Sequence, residues 1–117
     1  MYMLVDRRVV VCEDSLEWGM WYSRADCRVE ETLIDDVRIS TVFLGLDYNT
    51  RPTGDPALFE TMVFVGDATY HMNRYFIWEE AEAGHAEMVD RIRAEMLTAQ
   101  VEAAVAWAMV SQQLQLE

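Results

Sequence analysis

The chain contains no lysine. Its nine bases are all arginine, set against 21 acids, for a formal net charge of −12 over 117 residues. That absence excludes a lysine Schiff base, a P-loop lysine and a lysine nucleophile. The shortage of cations also argues against direct binding of DNA or RNA, because neutralising phosphates requires positive charge. Cysteine is scarce: Cys12 and Cys27 lie far apart and outside any C-x-x-C spacing. Two residues make no disulfide scaffold, so reduced thiols are expected. No apolar run approaches the ~18 residues that a membrane span needs. The N-terminus has no basic segment ahead of its apolar one and no small-residue cleavage site. A secretory signal is therefore not expected, and the chain reads as cytoplasmic, without membrane contact.

What the sequence does have is apolar mass. Hydrophobic residues make up 52%, enough for one core and one domain over residues 1–117. The acidic excess has two readings. One is solubility. The other is an acidic surface that engages a basic partner in place of nucleic acid.

The organising stretch is Ile39 to Val65, where two apolar runs flank a loop holding Asn49, Pro52, Gly54 and Pro56. Val, Ile, Phe and Thr fit a pleated, half-buried surface. The expectation is a long-looped β-hairpin at the centre of an antiparallel sheet. Tyr2 to Val5 and Val9 to Cys12 read as a small hairpin. A short helix is expected from Asp14-Ser15 through Ser23, with Trp18, Trp21 and Tyr22 on one face. That aromatic cluster is either core against the sheet or a ligand-stacking platform. Strands over Arg24 to Ile34 and Val37 to Asp47 turn at Asp35-Asp36. From Val42 onward both faces are apolar, so both are expected to be covered. Gly66 to Asn73 reads as a polar loop and Arg74 to Trp78 as a last short strand.

A long helix follows, at about residues 79–112. Ala81, His85, Met88, Ile92, Met96, Ala99, Ala103 and Val110 keep three-to-four spacing, the mark of a continuous apolar stripe. Val101, Val105 and Ala108 add apolar surface away from that stripe. One small sheet cannot cover all of it, so the surplus predicts homo-oligomerisation through this helix. The fold class is thus α+β: an antiparallel sheet of five to six strands, a short N-terminal helix, and a long C-terminal helix on one face.

STVFLGLD (Ser40 to Asp47), LFETMVF (Leu58 to Phe64) and WEEAEAGH (Trp78 to His85) occur in this order. Together they resemble a family of small phage and prophage proteins without an assigned function. The resemblance covers roughly Trp18 to Arg93. Similar sequences often read LDH where this chain has Leu46-Asp47-Tyr48, and Ser or Thr where it has Ile77. An activity that depended on that histidine is not expected here.

No P-loop, Rossmann glycine pattern, nucleophile elbow or HExxH is present, so no enzymatic activity and no cofactor are expected. Asp47, Glu60, His71 and His85 are metal ligands by type, but no spacing assembles them and no metal is expected. His85 lies on the apolar stripe, where a hydrogen-bonded core imidazole competes with an acid–imidazole pair to Asp47. Glu60 stands among Leu58, Met62 and Phe64 and needs a partner if buried. The loop from Asp47 to Pro56 is the main binding candidate: Tyr48 to stack, Asn49 to hydrogen-bond, Arg51 to pair with phosphate. The ligand-binding candidates are therefore Tyr48, Asn49, Arg51, Trp18, Trp21, Glu60, Asp47 and His85.

The resemblance and the missing chemistry together imply an accessory protein that acts by binding in the host cell. The leading expectation is antagonism of a host defence system, either by occupying a nucleic-acid site on a host protein or by sequestering a small nucleotide signal. The alternative is a phage structural or morphogenetic accessory.

Overall fold

A computed structural model describes residues 1–116. Among these residues the chain forms six strands and two helices, with the strands divided between two antiparallel sheets. The first sheet is a hairpin of β1 (Tyr2–Val5) and β2 (Arg8–Val11). Its two-residue turn, Asp6-Arg7, holds both residues at positive φ (51° and 66°) without a glycine. Such turns match the right-handed strand twist, and Asp tolerates the left-handed region better than most residues.

Helix α1 (Ser15–Arg24) follows, capped by Asp14. The Asp14 carboxylate accepts from Leu16 N (2.9 Å) and Glu17 N (3.1 Å), meeting two of the donors a helix start leaves open.

The second sheet has the order β3-β4-β5-β6. Its strands are β3 (Arg28–Ile34), β4 (Val37–Phe43), β5 (Phe59–Val65) and β6 (Ala68–Tyr75). The β4–β5 hairpin is central, in register from Val37↔Val65 to Phe43↔Phe59. β6 occupies most of the stretch expected to be loop. Most of its residues, apolar and polar alike, are exposed at the sheet edge, and a bulge near His71 (φ 49°) breaks the alternation that would have revealed it. The five- or six-strand single sheet is thus a two-strand hairpin beside a four-strand sheet.

Helix α2 (Trp78–Leu116) crosses the face formed by Val37, Ile39, Thr41 and Phe43 of β4 with Phe59, Thr61 and Val63 of β5. Among the described residues no layer covers the opposite sheet face. Val42, Met62 and Phe64 are only half-buried there, and Leu33 and Met72 are exposed. The expectation that both faces are covered fails because α2 covers one face only, while α1 and the small hairpin pack at the sheet's end. The small hairpin and α1 pack at its end, against Phe43, Phe59 and Trp78.

Two apolar clusters result. One joins Val37, Ile39 and Val63 to Met88, Val89 and Ile92. The other centres on Phe43, Leu58, Phe59 and Ala81, ringed by Trp21, Tyr75 and Trp78. Two glycines permit this packing. Tyr75 lies directly on Gly84 of α2, and Gly45 (φ 76°) lies under Trp18 and Tyr22.

Beyond Met96 the helix leaves the sheet. From Leu97 to Gln115 almost every residue is exposed, over roughly 30 Å at 1.5 Å per residue. The described chain is accordingly elongated, 74 × 31 × 22 Å.

Candidate functional site

The loop between β4 and β5 is closed by its own side chains. Asp47 Oδ1 accepts from Asn49 N (2.7 Å) and Ala57 N (2.9 Å). Asn49 Nδ2 donates to Asp55 O (2.8 Å), and Asn49 Oδ1 accepts from Arg51 N (2.9 Å). Asx side chains commonly make such local bonds to backbone. Asp47 and Asn49 therefore hold the loop's shape. Arg51 is exposed.

Tyr48 leads to the open sheet face. Arg74, on β6, donates to Glu60 Oε2 through Nε (3.1 Å) and to the Tyr48 carbonyl through Nη1 (3.3 Å). Its guanidinium lies 5.3 Å from the Tyr48 ring centroid. Glu60 and Arg74 are cross-strand partners in the β5–β6 register. The carboxylate thus has its counter-ion beside it, on a half-open face rather than inside the core.

Trp18 and Trp21 are likewise engaged. Trp18 Nε1 donates to the Tyr2 carbonyl (2.8 Å), and its ring stacks on Tyr22 at 4.9 Å. Trp21 meets Phe43 edge-on at 6.0 Å. Burial pushes the Tyr22 phenol and the Cys27 thiol up from their ordinary values, with Asp26 adding to the effect on Cys27. Cys27 is therefore held as thiol, the unreactive form.

His85 sits between the two apolar clusters. Its Nε2 bonds Thr32 Oγ1 (2.8 Å) and its Nδ1 bonds Thr41 Oγ1 (2.7 Å), which in turn bonds Thr61 Oγ1 (2.5 Å). His85, Thr41 and Thr61 are at most 1% exposed. Desolvation lowers the His85 pKa, opposed by the charge of Glu30. A neutral imidazole and three hydroxyls satisfy these contacts. Only Thr32, half-buried on β3, brings the network toward the surface; the imidazole and the other two hydroxyls are committed to one another in the interior. No bond joins His85 to Asp47, since each is committed elsewhere.

His71 lies apart, paired with Glu95 (3.3 Å), which Arg91 also holds (3.0 Å). Those hydrogen bonds, Arg91 first, lower the Glu95 pKa. Among the described residues no three His, Cys, Asp or Glu side chains gather as a metal site. Of the eight candidates, Tyr48 and Glu60 meet through Arg74 at the open face, while the other six are spread over the loop, the aromatic helix and the buried belt.

Two features remain unsatisfied among the described residues: the buried Trp78 Nε1, which has no hydrogen-bond partner, and the projecting half of α2. Leu97, Val101, Val105, Trp107, Met109, Val110 and Leu114 are each at least 50% exposed. Glu102 is the only charged residue from Leu97 to Gln115. No helix of the described residues is long and apolar enough to cross a membrane. By contrast, every described acidic residue except Glu60 is exposed. Only Glu31, Glu60 and Glu95 enter ion pairs among the described residues.

The chain matches no protein-family model, no curated protein and no solved structure.

Proposed function

We propose that this protein is a self-associating, acidic binding protein without catalytic activity. The observation that carries the reading is the projecting half of α2: an apolar helix surface with a single charge and no covering layer. Monomers rarely leave so large a contiguous apolar surface in water. The most economical cover is a second copy of the chain.

Self-association multiplies the acidic surface. Each subunit contributes −12, most of it as carboxylates without a counter-ion. Glu79, Glu80, Glu87 and Asp90 line the exposed side of α2 where its other side grips the sheet. Such a surface suits a basic partner. In keeping with the phage-family resemblance, we read the protein as a phage accessory that antagonises host defence by occupying a basic nucleic-acid site on a host protein. The nucleotide-sequestering mechanism has less support, because Asp47, Asn49, Trp18 and Trp21 are spent on holding the fold.

Sedimentation tests the association, and a monomer at micromolar concentration defeats it. Competition tests the mimicry. The protein should release nucleic acid from its host target, and added salt should abolish the release. A melting temperature raised by a nucleotide would instead favour sequestration.

A further inference from the structure

The face of α2 that grips the sheet does not stop at Met96. Three-to-four spacing carries it on through Ala99, Ala103, Trp107, Val110 and Leu114, with Ala106 beside Trp107. Size along this stripe is graded. Alanines occupy the half nearest the sheet, at 99, 103 and 106. Large side chains occupy the far half: Trp107 (69% exposed), Val110 (50%) and Leu114 (62%).

Where the stripe leaves the sheet it opens into an apolar cavity of about 250 Å³, lined in part by Val65, Tyr70, Ile92, Met96 and Ala99. Its inner end is therefore a socket, and its outer end a row of knobs.

We propose that two copies pair through this stripe as an antiparallel, two-fold dimer centred between Ala106 and Trp107. This rests on the self-association reading above and assigns its geometry. Reversing one helix about that centre sets Leu114 opposite Ala99, Val110 opposite Ala103 and Trp107 opposite Ala106. Every contact then places a large side chain against a small one, the alternation that fills a helix seam without voids or overlap. Each Leu114 reaches the partner's cavity. A parallel pairing would set tryptophan against tryptophan at one end and alanine against alanine at the other, so it would clash and gape together. A two-fold contact is self-complementary by construction, as this stripe is.

Two subunits of −12 repel overall, and the cavity that Leu114 enters is also lined by the His71–Glu95 pair, but the helix seam itself sets no like charges together. Glu102, alone in the segment, lies off the stripe and meets the level of Ser111 rather than its own copy. A seam of about 30 Å, extended at each end by a cavity, reaches on the order of 1,200 Å² in total, the lower bound of stable specific interfaces. Leu97, Val101 and Val105 face away and set no register here.

Disulfide trapping in the full chain reads the geometry. Arg93 is the last basic residue, so trypsin releases residues 94–117 free of both native cysteines. Ala99→Cys and Leu114→Cys are mixed, oxidised and digested. The proposal predicts a cross-linked 94–117 peptide pair joining one variant to the other, with little of either homodimer. Homodimeric cross-links alone would mean a parallel pair and overturn the proposal. A dimer by sedimentation with no cross-link would overturn this register while sparing self-association. A monomer would overturn both. Both substitutions lie outside the folded core, and helical content by circular dichroism confirms that each variant is intact.

Discussion

Replacing Thr41 by valine should destabilise the protein far more than the same change at Thr61. The two threonines are cross-strand partners, equally buried, and the substitution conserves shape at both. They differ in what they leave behind. Thr41 Oγ1 bonds both Thr61 Oγ1 and His85 Nδ1. Valine at 41 therefore orphans a hydroxyl and an imidazole nitrogen in a dry interior. An orphaned buried polar group costs about 1–3 kcal/mol, so the expected loss is about 2–6 kcal/mol. Valine at 61 removes only the terminal hydroxyl, and Thr41 keeps its bond to His85. The expected loss there is about 0.5–1.5 kcal/mol. Whole-domain stabilities run about 5–15 kcal/mol, so the first variant would be marginal and the second robust. Urea denaturation at one fixed protein concentration measures both, with unchanged slopes required for the comparison. Adding Thr61→Val to Thr41→Val should recover part of the loss, because the orphaned hydroxyl goes too. Equal costs at the two positions, or no recovery in the pair, would refute the account of the buried belt.

Gly84→Ala sets helix propensity against packing. Alanine favours a helix interior by about 1 kcal/mol, but its methyl would enter the Tyr75 ring. The clash should win, with a net loss of about 1–3 kcal/mol by denaturation. Gly45→Ala adds positive-φ strain to contacts with Trp18 and Tyr22 at 3.0 Å, and should lower the melting temperature clearly. His85 should make stability sensitive to mild acid. Its folded pKa lies below the ordinary imidazole value, mainly through desolvation. The unfolded chain therefore binds more protons as pH falls below about 6.5. The contribution is fully present above that pH and is lost as pH falls toward the folded value. His85→Gln should flatten that part of the stability curve, and an unchanged curve would contradict the assignment. Glu60→Gln removes a partly exposed ion pair with Arg74, so its cost should stay below about 1 kcal/mol by denaturation.

The central hairpin was legible because Ile39 to Phe43 and Phe59 to Val65 are rich in Val, Ile, Phe and Thr and flank a loop of turn formers. The α2 stripe was legible in its three-to-four apolar spacing, and its surplus apolar surface appears as the projecting segment. β6 was legible only at its end, where Arg74 and Tyr75 fall in the expected last strand. Thr69 and Asn73 are exposed at the sheet edge, His71 is half-buried against Glu95, and the bulge there erases the period. Nor does the sequence reveal that the β1–β2 hairpin stands apart from the main sheet, because local pattern does not encode which strands pair. Glu60 shows the limit for sites. Its apolar same-face neighbours suggested burial, but Arg74, its cross-strand partner on β6, supplies its counter-ion. Asp47, Asn49 and Trp18 carried the right residue types for binding. Whether such groups face a ligand or their own backbone depends on loop geometry that composition does not hold. The Thr32–His85–Thr41–Thr61 belt was half visible, in that His85 sat on the buried stripe. Its threonine partners, far off in sequence, became evident only once the strands aligned.

Sedimentation of the full chain beside Val110→Glu over a micromolar concentration series tests the central claim most directly. The account predicts that the native chain sediments as a dimer, or as an assembly of dimers. It predicts that a charge placed on the exposed stripe shifts Val110→Glu to monomer with its helical content unchanged. A native chain that stays monomeric across the series, or a Val110→Glu variant that associates as strongly as the native chain, would contradict it.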